Sequence, residues 1–221
     1  MSEIAPIAVI GMGCRLPGGA SSPEKLWEML AEGRSGWGEV PAERWNWKSF
    51  YHPHNEAKEA LNSKSGYFLQ QDIGAFDAKF FNIASYEAHA MDPQQRILLE
   101  TTYEALENAG VSLESLKGSN TCVYVGLYAR DYDRMGFKDL PQITKLHITG
   151  TGEAVVSNRI SYLFDLKGAS VTVDTGCVSF DYMENEKLLS KARFSETDLL
   201  WNNQVRKYGC TSPSLSESTH W

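Results

Sequence analysis

The chain carries one thiol in a setting where it could act as a nucleophile. Val171-Thr172-Val173-Asp174-Thr175-Gly176-Cys177 is a β-branched run that breaks at a glycine and delivers Cys177. A cysteine between the end of a strand and the start of a helix is held in place by the sheet. The helix N-terminus favours its thiolate, and backbone N–H groups at such a turn can stabilise a developing oxyanion. On local chemistry alone, a lone cysteine after a strand is more often a small core residue, so the alternative stays open at this point.

The elements that must position it are readable from pattern. Ile7–Ile10 is a continuous apolar run closed by Gly11-Met12-Gly13, and reads as a strand buried on both faces and then a tight turn. Ser22 and Pro23 open a helix whose apolar stripe is Leu26, Trp27 and Leu30 and which Gly33 stops. Residues 34–75 have little periodicity and read as a structured insertion with aromatic anchors at Trp37, Trp45, Trp47, Phe50 and Tyr51. Asp92, Pro93 and Gln95 form a second start signal, with Gln95 placed to reach back to the cap N–H; that helix runs to Gly110. A strand over 122–127, a helix over 152–166 and the strand 169–175 complete an alternating α/β pattern.

Composition narrows the function. The 221 residues are 42% hydrophobic and 11% aromatic, as in an ordinary globular protein. The net charge of −7 argues against nucleic acid or an anionic membrane as main partner, since both need clustered Lys and Arg. Cys14, Cys122, Cys177 and Cys210 show no metal or redox spacing, and no export signal precedes residue 7, so a cytoplasmic chain without a metal is expected. Gly11-Met12-Gly13 tempts a dinucleotide-binding reading, but Leu16 stands where a third glycine is needed and Pro17 blocks helix entry. Capping accounts for Asp92 without chemistry; Asn158 and Arg159 are read as scaffold. His52, His54, His89 and His147 lie outside any catalytic motif, and His220 near the end of the chain.

Four segments in order carry a resemblance. Ile7-Ala8-Val9-Ile10-Gly11-Met12-Gly13-Cys14-Arg15-Leu16-Pro17-Gly18 resembles the opening of polyketide synthase ketosynthase domains. Met91-Asp92-Pro93-Gln94-Gln95-Arg96 with Leu98-Leu99-Glu100 matches a further motif, and Ser157–Tyr162 with Asp165–Gly168 another; the last is Asp174-Thr175-Gly176-Cys177. The style is closest to fungal iterative, reducing enzymes. The resemblance implies a thiolase-like α/β fold, of which residues 1–177 would be the N-terminal half of a duplicated architecture, truncated after the nucleophile turn. It also implies an acyltransferase of fatty-acid and polyketide secondary metabolism. In the family's decarboxylative Claisen condensation, Cys177 matches the acylated nucleophile. The substrates are acyl and malonyl thioesters carried on the phosphopantetheine of an acyl carrier protein, with no cofactor bound directly. The family is dimeric. Its two catalytic histidines come from the second half, and nothing in this sequence matches them.

The pattern departs after Cys177. The family continues with small residues, whereas Val178-Ser179-Phe180-Asp181 is bulky and then charged. Residues 178–221 are expected to be a divergent, poorly ordered tail, from a truncated product or a shifted reading frame. Such a chain would be acylated at Cys177 at most and would be inactive in condensation. The alternative is a non-catalytic half-domain that dimerises through the strand 169–175.

Overall fold

The computed structural model describes residues 8–53, 60–174 and 201–203. Its longest helix is set by its first three residues. Asp92 Oδ1 accepts from the Gln94 N–H at 2.8 Å, Pro93 occupies the first turn, and α3 then runs Pro93–Ala109 to Gly110 in the left-handed region. Leu98, Leu99 and Leu106 point from it into the core. The capping box expected at Gln95 does not form. The Asp92 N–H is taken by the Gly150 carbonyl at 2.8 Å, so Gln95 turns inward and donates from Nε2 to the Thr149 carbonyl at 3.4 Å.

Against α3 lies a parallel pair, β4 (Val123–Gly126) and β5 (Ser170–Val173), in register from Val123↔Ser170 to Gly126↔Val173. The crossover between them holds α5 (Asp131–Gly136), α6 (His147–Thr151) and α7 (Glu153–Leu163). Helix α7 packs on both strands and on α3. Val156, Ile160 and Phe164 of this segment close the core with Val123, Val125 and Leu127. Burying each such side chain contributes about 1.5–3 kcal/mol before chain entropy is counted.

The first strand is not where the apolar run placed it. β1 is Met12–Cys14, while Val9 and Ile10 are 63% and 43% exposed. The two glycines are also not a turn but a contact track. A Cβ on Gly11 would stand 2.3 Å from the Ala105 carbonyl oxygen, and one on Gly13 2.6 Å from that of Thr101. Their missing side chains let the strand backbone lie directly on α3. β1 pairs in parallel with β6 (Trp201–Asn203), Met12 opposite Trp201.

Helix α1 (Pro23–Ala31) begins as expected, with Ser22 Oγ accepting from the Lys25 N–H at 3.3 Å. Its stripe is not a core face, since Trp27 and Leu30 are 73% and 62% exposed while Leu26 and Met29 are half-buried. In the 34–75 region, β2 (Trp37–Glu39) and β3 (Ser65–Tyr67) form an antiparallel hairpin. Its aromatics contact one another: Trp37 meets Tyr67 edge-on at 5.1 Å and Trp47 meets Tyr51 at 5.6 Å. Two short helices, α2 (Ser85–Ala90) and α4 (Leu113–Leu116), flank α3.

Candidate active site

β5 carries the chain to the site. Its four residues are clamped on one side by β4, with the Leu127 N–H donating to the Val173 carbonyl at 3.1 Å just past the ladder. On its α7 side, Thr172 Oγ1 donates to Ser157 Oγ at 3.0 Å. A cleft of about 210 Å³ opens there, walled by Leu127, Ser157, Asn158, Thr172 and Asp174, with Glu153 at its rim. Glu153 is ion-paired with Arg130. Two more hydroxyls of this seam, Ser161 Oγ and Ser170 Oγ, are buried with no protein partner among the described residues. Asp174 ends the described segment, and Cys177 lies outside the described residues with Thr175 and Gly176.

The other motif residues are scaffold by their contacts. Arg159 is nearly buried, donating to Glu87 Oε1 at 2.7 Å and to the Thr149 carbonyl at 3.1 Å, which ties α7 to α2 and α6. Arg96 donates from its guanidinium to the Gly74 carbonyl at 3.2 Å, and its backbone N–H donates to the Asp92 carbonyl at 3.3 Å within the first turn of α3. Gln94 links the start of α3 to the chain after β4 by donating to the Ala129 carbonyl at 3.0 Å. His147 Nε2 sits 2.8 Å from Asp133 Oδ1 and its ring stacks edge-on against Phe137, locking α5 to α6. The His89 carbonyl accepts from the Tyr132 hydroxyl, and His54 lies outside the described residues.

Two further thiols are within the described part. Cys14 is buried, and burial pushes its pKa up, opposed by the nearby Arg15 guanidinium. Cys122 is half-exposed, its Sγ accepting from the Ala169 N–H at 3.3 Å. The pattern gave no notice of a larger cleft, about 380 Å³, where Arg15 ion-pairs with Glu104 and also donates to the Ser21 carbonyl at 3.0 Å. The partners are 89 positions apart, beyond any local spacing rule. Among the described residues no group of three or more His, Cys, Asp or Glu could hold a metal ion, and no helix is long and apolar enough to cross a membrane.

Comparison with known families decides what this scaffold belongs to. Residues 5–182 match the model for "Beta-ketoacyl synthase, N-terminal domain". The chain belongs to the β-ketoacyl synthase family. The match extends past position 177, so the ketosynthase region includes the Asp174–Cys177 motif. Among curated relatives it is 57% identical over 178 residues to the highly reducing polyketide synthase sdnO of Sordaria araneosa, covering 80% of this chain. It is 55% identical over 196 residues to the highly reducing polyketide synthase ltbA of Aspergillus luteorubrus, covering 88%. The chain spans only 6% of the length of either relative. Among solved structures it resembles the oxazolomycin ketosynthase domain OzmH KS7 of Streptomyces albus JA3453, with a TM-score of 0.70 at 37% identity over 77% of this chain. It also resembles the ketosynthase from module 6 of the bacillaene synthase of Bacillus subtilis 168, with a TM-score of 0.70 at 32% identity over 83%. It accounts for 30% of each of those chains. The fold is the thiolase-like fold of ketosynthase domains, in its N-terminal part.

Proposed function

We propose that this chain is the acyl-accepting part of a polyketide ketosynthase, with Cys177 as its nucleophile. The observation that carries the reading is the β4–β5 pair under α7, which holds the chain as far as Asp174, three residues before a cysteine inside the family match. The Cys177 thiolate attacks the carbonyl carbon of an acyl thioester. The new carbon–sulfur bond forms as the old one breaks, and the departing phosphopantetheine thiolate of the acyl carrier protein takes up a proton. In the condensation, malonyl thioester loses carbon dioxide and its carbanion attacks the Cys177 thioester, releasing the cysteine thiolate. That second step calls on the histidines of the other half. The described residues serve the transthioesterification step, in the cytoplasm, and the condensation step draws on the family's second half.

The test is intact mass after incubation with an acyl thioester, and separately with iodoacetamide, with Cys177→Ala as control. One acyl adduct that disappears in Cys177→Ala supports the reading. Slow labelling spread over Cys14, Cys122 and Cys210 overturns it. A second reading rests on β5, which has only β4 as neighbour among the described residues and so presents one unpaired edge. A non-catalytic half-domain pairing through that edge would sediment as a concentration-dependent dimer and take no acyl group.

A further inference from the structure

We propose that a single buried water binds between Arg159 Nε and Gln95 Oε1 and completes the joint where α2, α3, α6 and α7 meet. Both atoms are buried, and neither has a hydrogen-bond partner among the described residues. Gln95 as a whole is only 2% exposed, and the Arg159 side chain 11%. One orphan is an acceptor and the other a donor, so the pair calls for a bridging group that is both. They also converge on one place. The Thr149 carbonyl accepts from Gln95 Nε2 at 3.4 Å and from Arg159 Nη2 at 3.1 Å.

The geometry of each side chain aims its orphan at that place. Nε–H shares an edge of the planar guanidinium with Nη2, so its acceptor belongs beside the Thr149 carbonyl. Nη1 is held on Glu87 Oε1 at 2.7 Å, which stops the group from turning away. The Gln95 amide is oriented as firmly, since its other setting would press Oε1 against the Thr149 carbonyl, acceptor on acceptor. Its 3.4 Å contact is that of a carboxamide held off the carbonyl rather than closed upon it. Water suits this gap and ions do not. A cation would meet the Arg159 charge, and an anion would face the Gln95 and Thr149 oxygens. Water accepts from the Nε–H, donates to Oε1, and has a second hydrogen for the Thr149 carbonyl. Thr149 is itself exposed, which gives water a way in. The joint also bears on the cleft beside β5, whose wall includes Ser157 and Asn158, the two residues before Arg159 on α7.

The test is water-selective NOE and ROE spectroscopy on the ¹⁵N-labelled full chain, observing the Arg159 Nε–H and the Gln95 carboxamide. Cross-peaks from water to both groups are expected, with NOE and ROE of opposite sign, the mark of a long-held water. Arg159→Lys keeps a cation for Glu87 but removes the Nε–H, and should weaken the water cross-peak to Gln95 by about fivefold or more. Gln95→Met keeps the length of the side chain but removes Oε1, and should weaken the cross-peak to the Arg159 Nε–H in the same way. Absence of the cross-peaks in the wild-type chain overturns the proposal. So do cross-peaks of equal sign, which report exchange with solvent, and a Gln95 cross-peak that Arg159→Lys leaves unchanged. None of these readouts depends on acylation of Cys177.

Discussion

Helices α1 and α3 begin with the same grammar and end in opposite circumstances. Each has a capping side chain followed by proline, and each stops at a glycine with positive φ, Gly33 and Gly110. Yet α3 buries seven residues and α1 none. Caps and proline decide where a helix starts, because they act on backbone groups within one turn. They say nothing about which face finds a partner. For α3 that face is met by β1 on one side and by α7 on the other, whereas among the described residues α1 meets the fold through its half-buried edge, against β1.

The contrast breaks most sharply in the core. Leu99→Ala removes a fully buried side chain and is expected to cost about 2–5 kcal/mol in urea unfolding. Leu30→Ala, on the bare face, should stay within about 0.5 kcal/mol of wild type. Equal losses would mean that α1 is covered as well as α3 is. Gly11→Ala comes next, since its Cβ would meet backbone and the Ala109 Cβ rather than a flexible side-chain end. It should lower stability by about 1–3 kcal/mol, seen as a lower unfolding midpoint.

Cap removal sharpens the comparison further. Asp92→Ala deletes a 2.8 Å bond at a buried helix start and should cost about 1–2 kcal/mol, against about 0.5 kcal/mol for Ser22→Ala at 3.3 Å. The smallest effect is one of pH. Cys14 lies in β1, between the two helices, with its thiol pKa raised by burial. The neutral thiol is therefore the form the fold prefers. Its contribution is complete below the unfolded thiol pKa of roughly 8.5 and is lost as pH rises through the higher folded value. Unfolding midpoints measured from pH 8 to 10 should fall, and Cys14→Ala should flatten that slope.

What could be read in the sequence follows the range of each interaction. Helix starts at Ser22 and Asp92, and the strands β4 and β5, were legible because caps and β-branched runs act locally. The exposure of Trp27 was not, because its fate depends on what the rest of the fold sets against α1. The same holds for Gln95, whose partner on Thr149 is 54 positions away, and for Gly11 and Gly13, whose meaning is the carbonyls of Ala105 and Thr101. The family was legible from four ordered motifs. The assignment of Cys177 rests on one of those motifs, since local chemistry left it undecided and the residue lies outside the described part of the chain.

The β4–β5 pairing has a consequence for how the chain is made. Cys122 and Ala169, at the head of the two strands, are 47 positions apart, with all of α5–α7 between them. At about 5–20 residues per second, translation leaves β4 without its neighbour for roughly 2–10 s. Through that interval Val123 and Val125 await a partner that the ribosome has yet to supply, and a helper protein that shields the nascent strand would have those seconds in which to act.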